Sequence, residues 1–149
     1  MIRLRGDMKL FIGALALIAS AGCSTSPMSA RDADPVPADE LYAFQSKTAS
    51  AASRITVIRD GGFVGSGCDL VFYIEGRRAA KIGPGQRASF YVEPGVVNLG
   101  TGLAESGLCA GAAIRTISAN IKPGAENQFR ISGDMSGFFL APYVDYGGR

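Results

Sequence analysis

The chain has 149 residues, with 15 Lys and Arg against 13 Asp and Glu, and contains neither His nor Trp. That length supplies one hydrophobic core and not two. A formal net charge of +2 lacks the electrostatic footprint of a nucleic-acid binder, and the absence of His removes the commonest general base and the commonest transition-metal ligand, so neither cofactor nor metal is expected.

In chain order, Arg3, Arg5 and Lys9 precede Leu10 to Gly22, a run of 13 residues without charge. As a helix this run rises about 20 Å, short of the ~30 Å hydrocarbon core that needs about 20 apolar residues. The basic residues ahead of it suit a segment held on the cytoplasmic side. Small residues Ser20, Ala21 and Gly22 then lead to Cys23. The stretch MKLFIGALALIASAGCS, residues 8–24, resembles a bacterial lipoprotein signal peptide ending in a lipobox. The resemblance implies removal of residues 1–22 and a diacylglycerol on the Cys23 thiol. Two acyl chains anchor stably where one binds only marginally. Ser24 after the cysteine implies, by the sorting pattern of enteric-type envelopes, the outer membrane facing the periplasm. Ser20 stands where the lipobox has an aliphatic residue, which leaves open an ordinary secretory cleavage near Ala19 to Ala21, or a retained membrane segment. Met8 offers an alternative start to Met1.

Without Arg3, Arg5, Lys9 and Asp7, twelve charges of each sign remain, so the pI of about 8.5 belongs to the leader. With Cys23 lipidated, Cys68 and Cys109 remain as an even pair in an oxidising compartment. A disulfide between them closes a loop of about 40 residues, worth ~3–4 kcal/mol in the chain-entropy model. Two buried free thiols are the alternative.

Residues 23–53 read as a flexible tether, rich in Ser, Ala, Asp and Pro at its start. Within it Asp39 to Gln45 is expected as one helical turn, or as an extended lead-in whose Tyr42 and Phe44 pack on the domain. The domain itself is expected over 54–146, and every segment in it has strand character. Arg54 to Asp60 places Ile55 and Val57 on one face and Thr56 and Ile58 on the other. Asp69 to Glu75 is apolar on both faces, the mark of a central strand.

After Gly76-Arg77 come Ala79 to Ile82, the Gly83-Pro84-Gly85 turn, and Arg87 to Glu93 with Ala88, Phe90 and Val92 inward. Pro94-Gly95 carries type II turn chemistry, since Pro presets φ and Gly supplies φ > 0. Val96 to Leu103, a small-residue loop at 105–112, and Ala113 to Ile121 follow. Pro123-Gly124 repeats the turn chemistry before Asn127 to Ser132 and Phe138 to Val144. Seven or eight short strands with turns every 8 to 12 residues predict an all-β fold, a single small antiparallel β-sandwich.

The series ITVIRD, LVFYIEGRR, IGPGQ, ASFYVEPG and VVNLG, over residues 54–104, resembles a domain-of-unknown-function family of small bacterial lipoproteins. It also resembles the PEGA domain, whose motif falls at the turn Val92-Glu93-Pro94-Gly95. Both are β-sandwich modules of the envelope, and the resemblance implies fold and location with no assigned activity.

Arg77, Arg78, Lys81 and Arg87 put four cations within 11 residues. They are a candidate interaction site for an anionic headgroup or an acidic partner, against a solvated hairpin tip that deters edge aggregation. Gly65-Ser66-Gly67 lacks the Lys and helix of a phosphate loop. Asp60 with Asp69, or Glu75 with Glu93, are candidate paired carboxylates for glycoside hydrolysis, and scattered solvated acids are the ordinary reading. Gly137 to Tyr146 is either a last core strand or an exposed patch. The expectation is a lipid-anchored, non-catalytic structural or interaction module that binds an envelope protein or polymer, and not nucleic acid. The alternatives are an accessory lipoprotein of a secretion or efflux assembly, and an envelope carboxylate hydrolase.

Overall fold

A computed structural model describes residues 24–62, 66–104 and 113–144. Nine strands lie among them: β1 (Asp34–Pro35), β2 (Ser53–Arg59), β3 (Leu70–Ile74), β4 (Arg77–Ile82), β5 (Gln86–Val92), β6 (Gly95–Leu103), β7 (Arg115–Ile121), β8 (Glu126–Asp134) and β9 (Gly137–Pro142). The one helical element is a 3-10 turn at Ala38–Glu40. A five-stranded sheet in the order β1-β5-β2-β8-β9 faces a four-stranded sheet in the order β4-β3-β6-β7. The fold is therefore the expected all-β sandwich, mostly antiparallel, with β1 beside β5 and β2 beside β8 as its parallel pairs.

Inward alternation builds the core, as the pleat requires. Ile55, Val57, Ala88, Phe90, Val92, Phe129 and Ile131 come from the larger sheet. Leu70, Phe72, Ile74, Ala80, Ile82, Val97, Leu99 and Ile121 come from the smaller. Phe72 and Phe90 meet across the interface with ring centroids 5.4 Å apart and planes 29° from parallel. β3 is central, between β4 and β6, and all five of its residues are buried.

The β3–β4 hairpin turns on Glu75-Gly76, both at positive φ (49° and 72°), as a type I′ turn demands. Glu75 is an uncommon residue there, and its carboxylate is held by the Asn98 N–H at 2.5 Å. The other Gly and Pro punctuation does different work. Gly83-Pro84-Gly85, Pro94 and Lys122-Pro123-Gly124 each carry the chain from one sheet to the other. The last of these is fixed by the buried Ser53 hydroxyl, which donates to the Lys122 carbonyl at 3.0 Å and accepts the Gly124 N–H at 3.1 Å.

Residues 24–44 do not hang free, which corrects the expected tether over that stretch and the domain start at 54. Ser24 bridges Asp134 and Ser26 bridges Gly61. β1 then pairs with the outer edge of β5, and Ala33 and Val36 are buried. After the 3-10 turn, Leu41 bridges Ala80, and the Tyr42 and Ala43 N–H groups both donate to the Ala79 carbonyl. Ala79 is the extra residue of a β-bulge in β4, so its carbonyl is turned away from β3. Phe44 reaches back to β5, where its carbonyl accepts the Tyr91 N–H at 2.8 Å. Thus one segment closes the β5 and β4 edges on the same side of the sandwich. Polar composition suggested disorder, yet four apolar side chains (Ala33, Val36, Leu41, Phe44) and sheet-edge hydrogen bonds supply its binding energy.

Candidate functional site

Among the described residues, no strand or segment covers the side opposite that segment. β7 and β9 are the outer strands there, one from each sheet. Between them runs a groove of about 590 Å³ whose lining includes Ile117, Ala119, Ile121, Asn127, Phe129 and Pro142. The Asn127 Nδ2 is buried and has no hydrogen-bond partner among the described residues.

The hydrogen-bond phase of β7 follows from its neighbours. The Glu75 N–H donates to the Asn98 carbonyl, and the Asn98 N–H donates to Glu75, so the backbone of Asn98 is directed at β3. Its cross-strand partner on the other side, Ser118, is therefore in a non-hydrogen-bonded pair. Strand alternation then turns the N–H and C=O groups of Thr116, Ser118 and Asn120 outward, along the free edge. Ile117, Ala119 and Ile121 bond to β6 instead. The edge carries no Pro and no charge between Arg115 and Lys122, the devices by which edges are usually blunted.

The four candidate cations do not converge on one site; each engages the N-terminal segment. The Arg77 guanidinium lies over the Phe44 ring at 5.0 Å, and that of Arg78 over Tyr42 at 5.4 Å. The Lys81 Nζ is 2.5 Å from the Glu40 carboxylate and 3.9 Å from Asp69, and the Arg87 Nε donates to the Ala33 carbonyl at 3.1 Å. The Lys81 hydrogen bond, with a second from the Tyr42 hydroxyl, holds Glu40 below the usual carboxylate range. The same contacts hold Lys81 and Tyr42 above theirs.

The carboxylates of each candidate pair are held differently. Asp60, 0% exposed at its side chain, accepts the Arg130 Nε at 2.6 Å, the Arg130 guanidinium again at 2.5 Å, and the Thr25 hydroxyl at 2.9 Å. Asp69 is exposed, beside Lys81. Glu75 and Glu93 do border one groove of about 410 Å³, with Phe44, Tyr91, Val96 and Pro94 among its lining, but Glu75 is occupied by Asn98. The Thr25–Asp60–Arg130 cluster was not foreseen, because Arg130 lies 70 residues from Asp60 and only the parallel β2–β8 pairing brings them together. Arg59 is buried too. Its guanidinium donates to the Ile82 carbonyl at 2.7 Å, lies 5.2 Å from the Phe138 ring, and is pushed down to about 10 by burial.

Cys68 is half-buried just ahead of β3. Its expected partner Cys109, the loop 105–112, Gly65 and Tyr146 lie outside the described residues, as do the leader and Cys23. Of the C-terminal run, Leu140 is buried, Phe138 packs on the core, and Val144 is exposed, so it is a core strand at its start and a surface at its end. Among the described residues no three of His, Cys, Asp and Glu gather as metal ligands, and no helix is long and apolar enough to cross a membrane. No family model, no curated protein and no solved structure matches the chain.

Proposed function

We propose that this chain is a lipid-anchored envelope lipoprotein, attached through a diacylglycerol on Cys23, that works without catalysis by accepting an extended segment of an envelope protein along β7. The observation that carries the proposal is the β7 edge, unpaired among the described residues, with Thr116, Ser118 and Asn120 presenting backbone groups at two-residue spacing. An added strand gains affinity from those groups and selectivity from side-chain pockets. The groove beside the edge supplies the pocket, and the unpartnered Asn127 amide in it favours a carbonyl-bearing ligand. Pairing of Cys68 with Cys109 and an outer-membrane location belong to the same proposal. So does kinship with the envelope β-sandwich lipoproteins that residues 54–104 resemble.

Ser118→Pro tests it. Pro removes an outward N–H and no ladder bond, so an edge strand tolerates it, while an incoming strand loses its central contact. Ser118→Ala controls for the hydroxyl, which donates to Asn98 Oδ1 at 2.7 Å. Crosslinking in cells followed by pull-down is expected to recover a partner with the parent chain and with Ser118→Ala, and to lose it with Ser118→Pro. The same captured set from all three chains refutes strand addition. Cys23→Ser is expected to release the protein from membranes, and retention of that variant refutes the anchor.

A further inference from the structure

Two ends of the sandwich differ in what they carry. At one lie the end of β8, the Asp134–Gly137 turn, the start of β7, and Asp60–Gly61 after β2. The chain that leaves residue 23 is fixed to this end within three residues. The Thr25 N–H donates to the Gly133 carbonyl at 2.9 Å, and the Gly133 N–H donates to the Thr25 hydroxyl at 2.9 Å. That hydroxyl donates in turn to the buried Asp60 carboxylate. Ser26 and Gly61 exchange backbone hydrogen bonds at 2.8 and 3.1 Å.

A free lead of 31 residues would hold the domain roughly 30 Å from its anchor. Cys23 is instead one Cα–Cα step of about 3.8 Å from a residue already paired to the domain. Ser24 itself pairs antiparallel with Asp134, the residue next to Met135. Met135 caps the β8–β9 turn at 83% exposure, the most exposed large apolar side chain described. Ile114, also exposed, immediately precedes β7 at the same end. Arg115 joins the two: its guanidinium donates to the Ser136 carbonyl at 3.1 Å and lies 4.5 Å from the Phe139 ring. Asp134, in the turn itself, accepts the Ser136 N–H at 2.7 Å and the Ser136 hydroxyl at 2.5 Å.

Resting on the lipidation of Cys23, we infer that the β8–β9 turn is a membrane-contact surface, with Met135 entering the leaflet and Arg115 at the level of the lipid phosphates. The domain stands on the bilayer without a spacer. The opposite end, with Pro94, Val96 and Pro123, points away from it. An apolar tip beside a cation is the pattern of an interfacial contact, and the short covalent link keeps it within reach of the headgroups.

The chain has no Trp, so a single introduced indole reports one position. Met135→Trp and, as the distal control, Val96→Trp (70% exposed) are purified with their lipid and placed in phosphatidylethanolamine–phosphatidylglycerol vesicles. Both sites are exposed, so neither variant disturbs the core. With acyl chains brominated, emission from Met135→Trp is expected to be blue-shifted and quenched at least twofold more than that from Val96→Trp. Equal quenching in protein that floats with the vesicles overturns the contact surface and leaves the anchor standing. Failure of either protein to float overturns the anchor, and the contact surface with it.

Discussion

Removing the Arg130 guanidinium leaves a carboxylate stranded. Asp60 is wholly buried, and in Arg130→Met it retains, among the described residues, the Thr25 hydroxyl as its side-chain donor. Breaking a buried ion pair from one side costs about 3–5 kcal/mol, most of it the desolvation of the charge left behind. Arg130 is 32% exposed, so water reaches the vacated position in part, and the lower end of that range applies, about 3 kcal/mol.

Asp60→Asn is the milder change. It keeps a hydrogen-bonding side chain at the buried position and leaves the unpaired charge on the partner that can reach solvent. Loss of charge-assisted hydrogen bonds then costs about 1.5–2 kcal/mol. Urea denaturation of both variants measures the difference, with unchanged m-values confirming the same unfolding transition. Arg130→Met is expected to lower the melting temperature by roughly 10 °C for a domain of this size. Equal costs for the two variants, or a cost under about 1 kcal/mol for Arg130→Met, refute the assignment of Asp60 as a buried, paired carboxylate.

The Glu40–Lys81 contact makes the N-terminal segment acid-sensitive. Glu40 is held below its ordinary value of 4.5, first by the Lys81 hydrogen bond, so its contribution is present above 4.5 and is lost as pH falls through the lower folded value. Lys81, raised above 10.5 by the same bond, contributes below that value and loses its contribution only as pH rises through its folded value. Amide exchange at Tyr42 and Ala43 is expected to show more frequent opening below pH 4.5, once corrected for its intrinsic pH dependence. Lys81→Met is expected to flatten that response, and an unchanged profile counts against it. Arg77→Ala with Arg78→Ala removes two cation–π contacts, each worth about 0.5–1 kcal/mol at such sites. Exchange at Tyr42 and Tyr91 should rise while the β3 amides stay protected, and a uniform change across the sheet would show that the pair acts on global stability instead.

The alternation of Ala88, Phe90 and Val92 against Ser89, Tyr91 and Glu93 announced both the strand and its inward face, because side chains of period two can bury only one set. Leu70 to Ile74, apolar on both faces, was legible as a central strand for the same reason. Less was readable where contacts are distant. The aromatic residues Tyr42 and Phe44 hinted at packing, but nothing local indicated that Arg77 and Arg78 would receive them. The cations looked like a site because proximity in sequence was all that could be seen.

Local chemistry by itself determined the strands from β2 to β9, the turn positions and the all-β class, since propensity, alternation and glycine conformations act over a few residues. Only the tertiary structure decided that Pro94-Gly95 and Pro123-Gly124 pass between sheets, for a turn of given φ is compatible with either a hairpin or a crossing. It alone placed Ser24 to Phe44 on the domain, brought Arg130 to Asp60, and put β7 at the outer position of the described four-stranded sheet. Those outcomes depend on which strands become neighbours, and that is set by burying both inner faces at once rather than by any short stretch of chain.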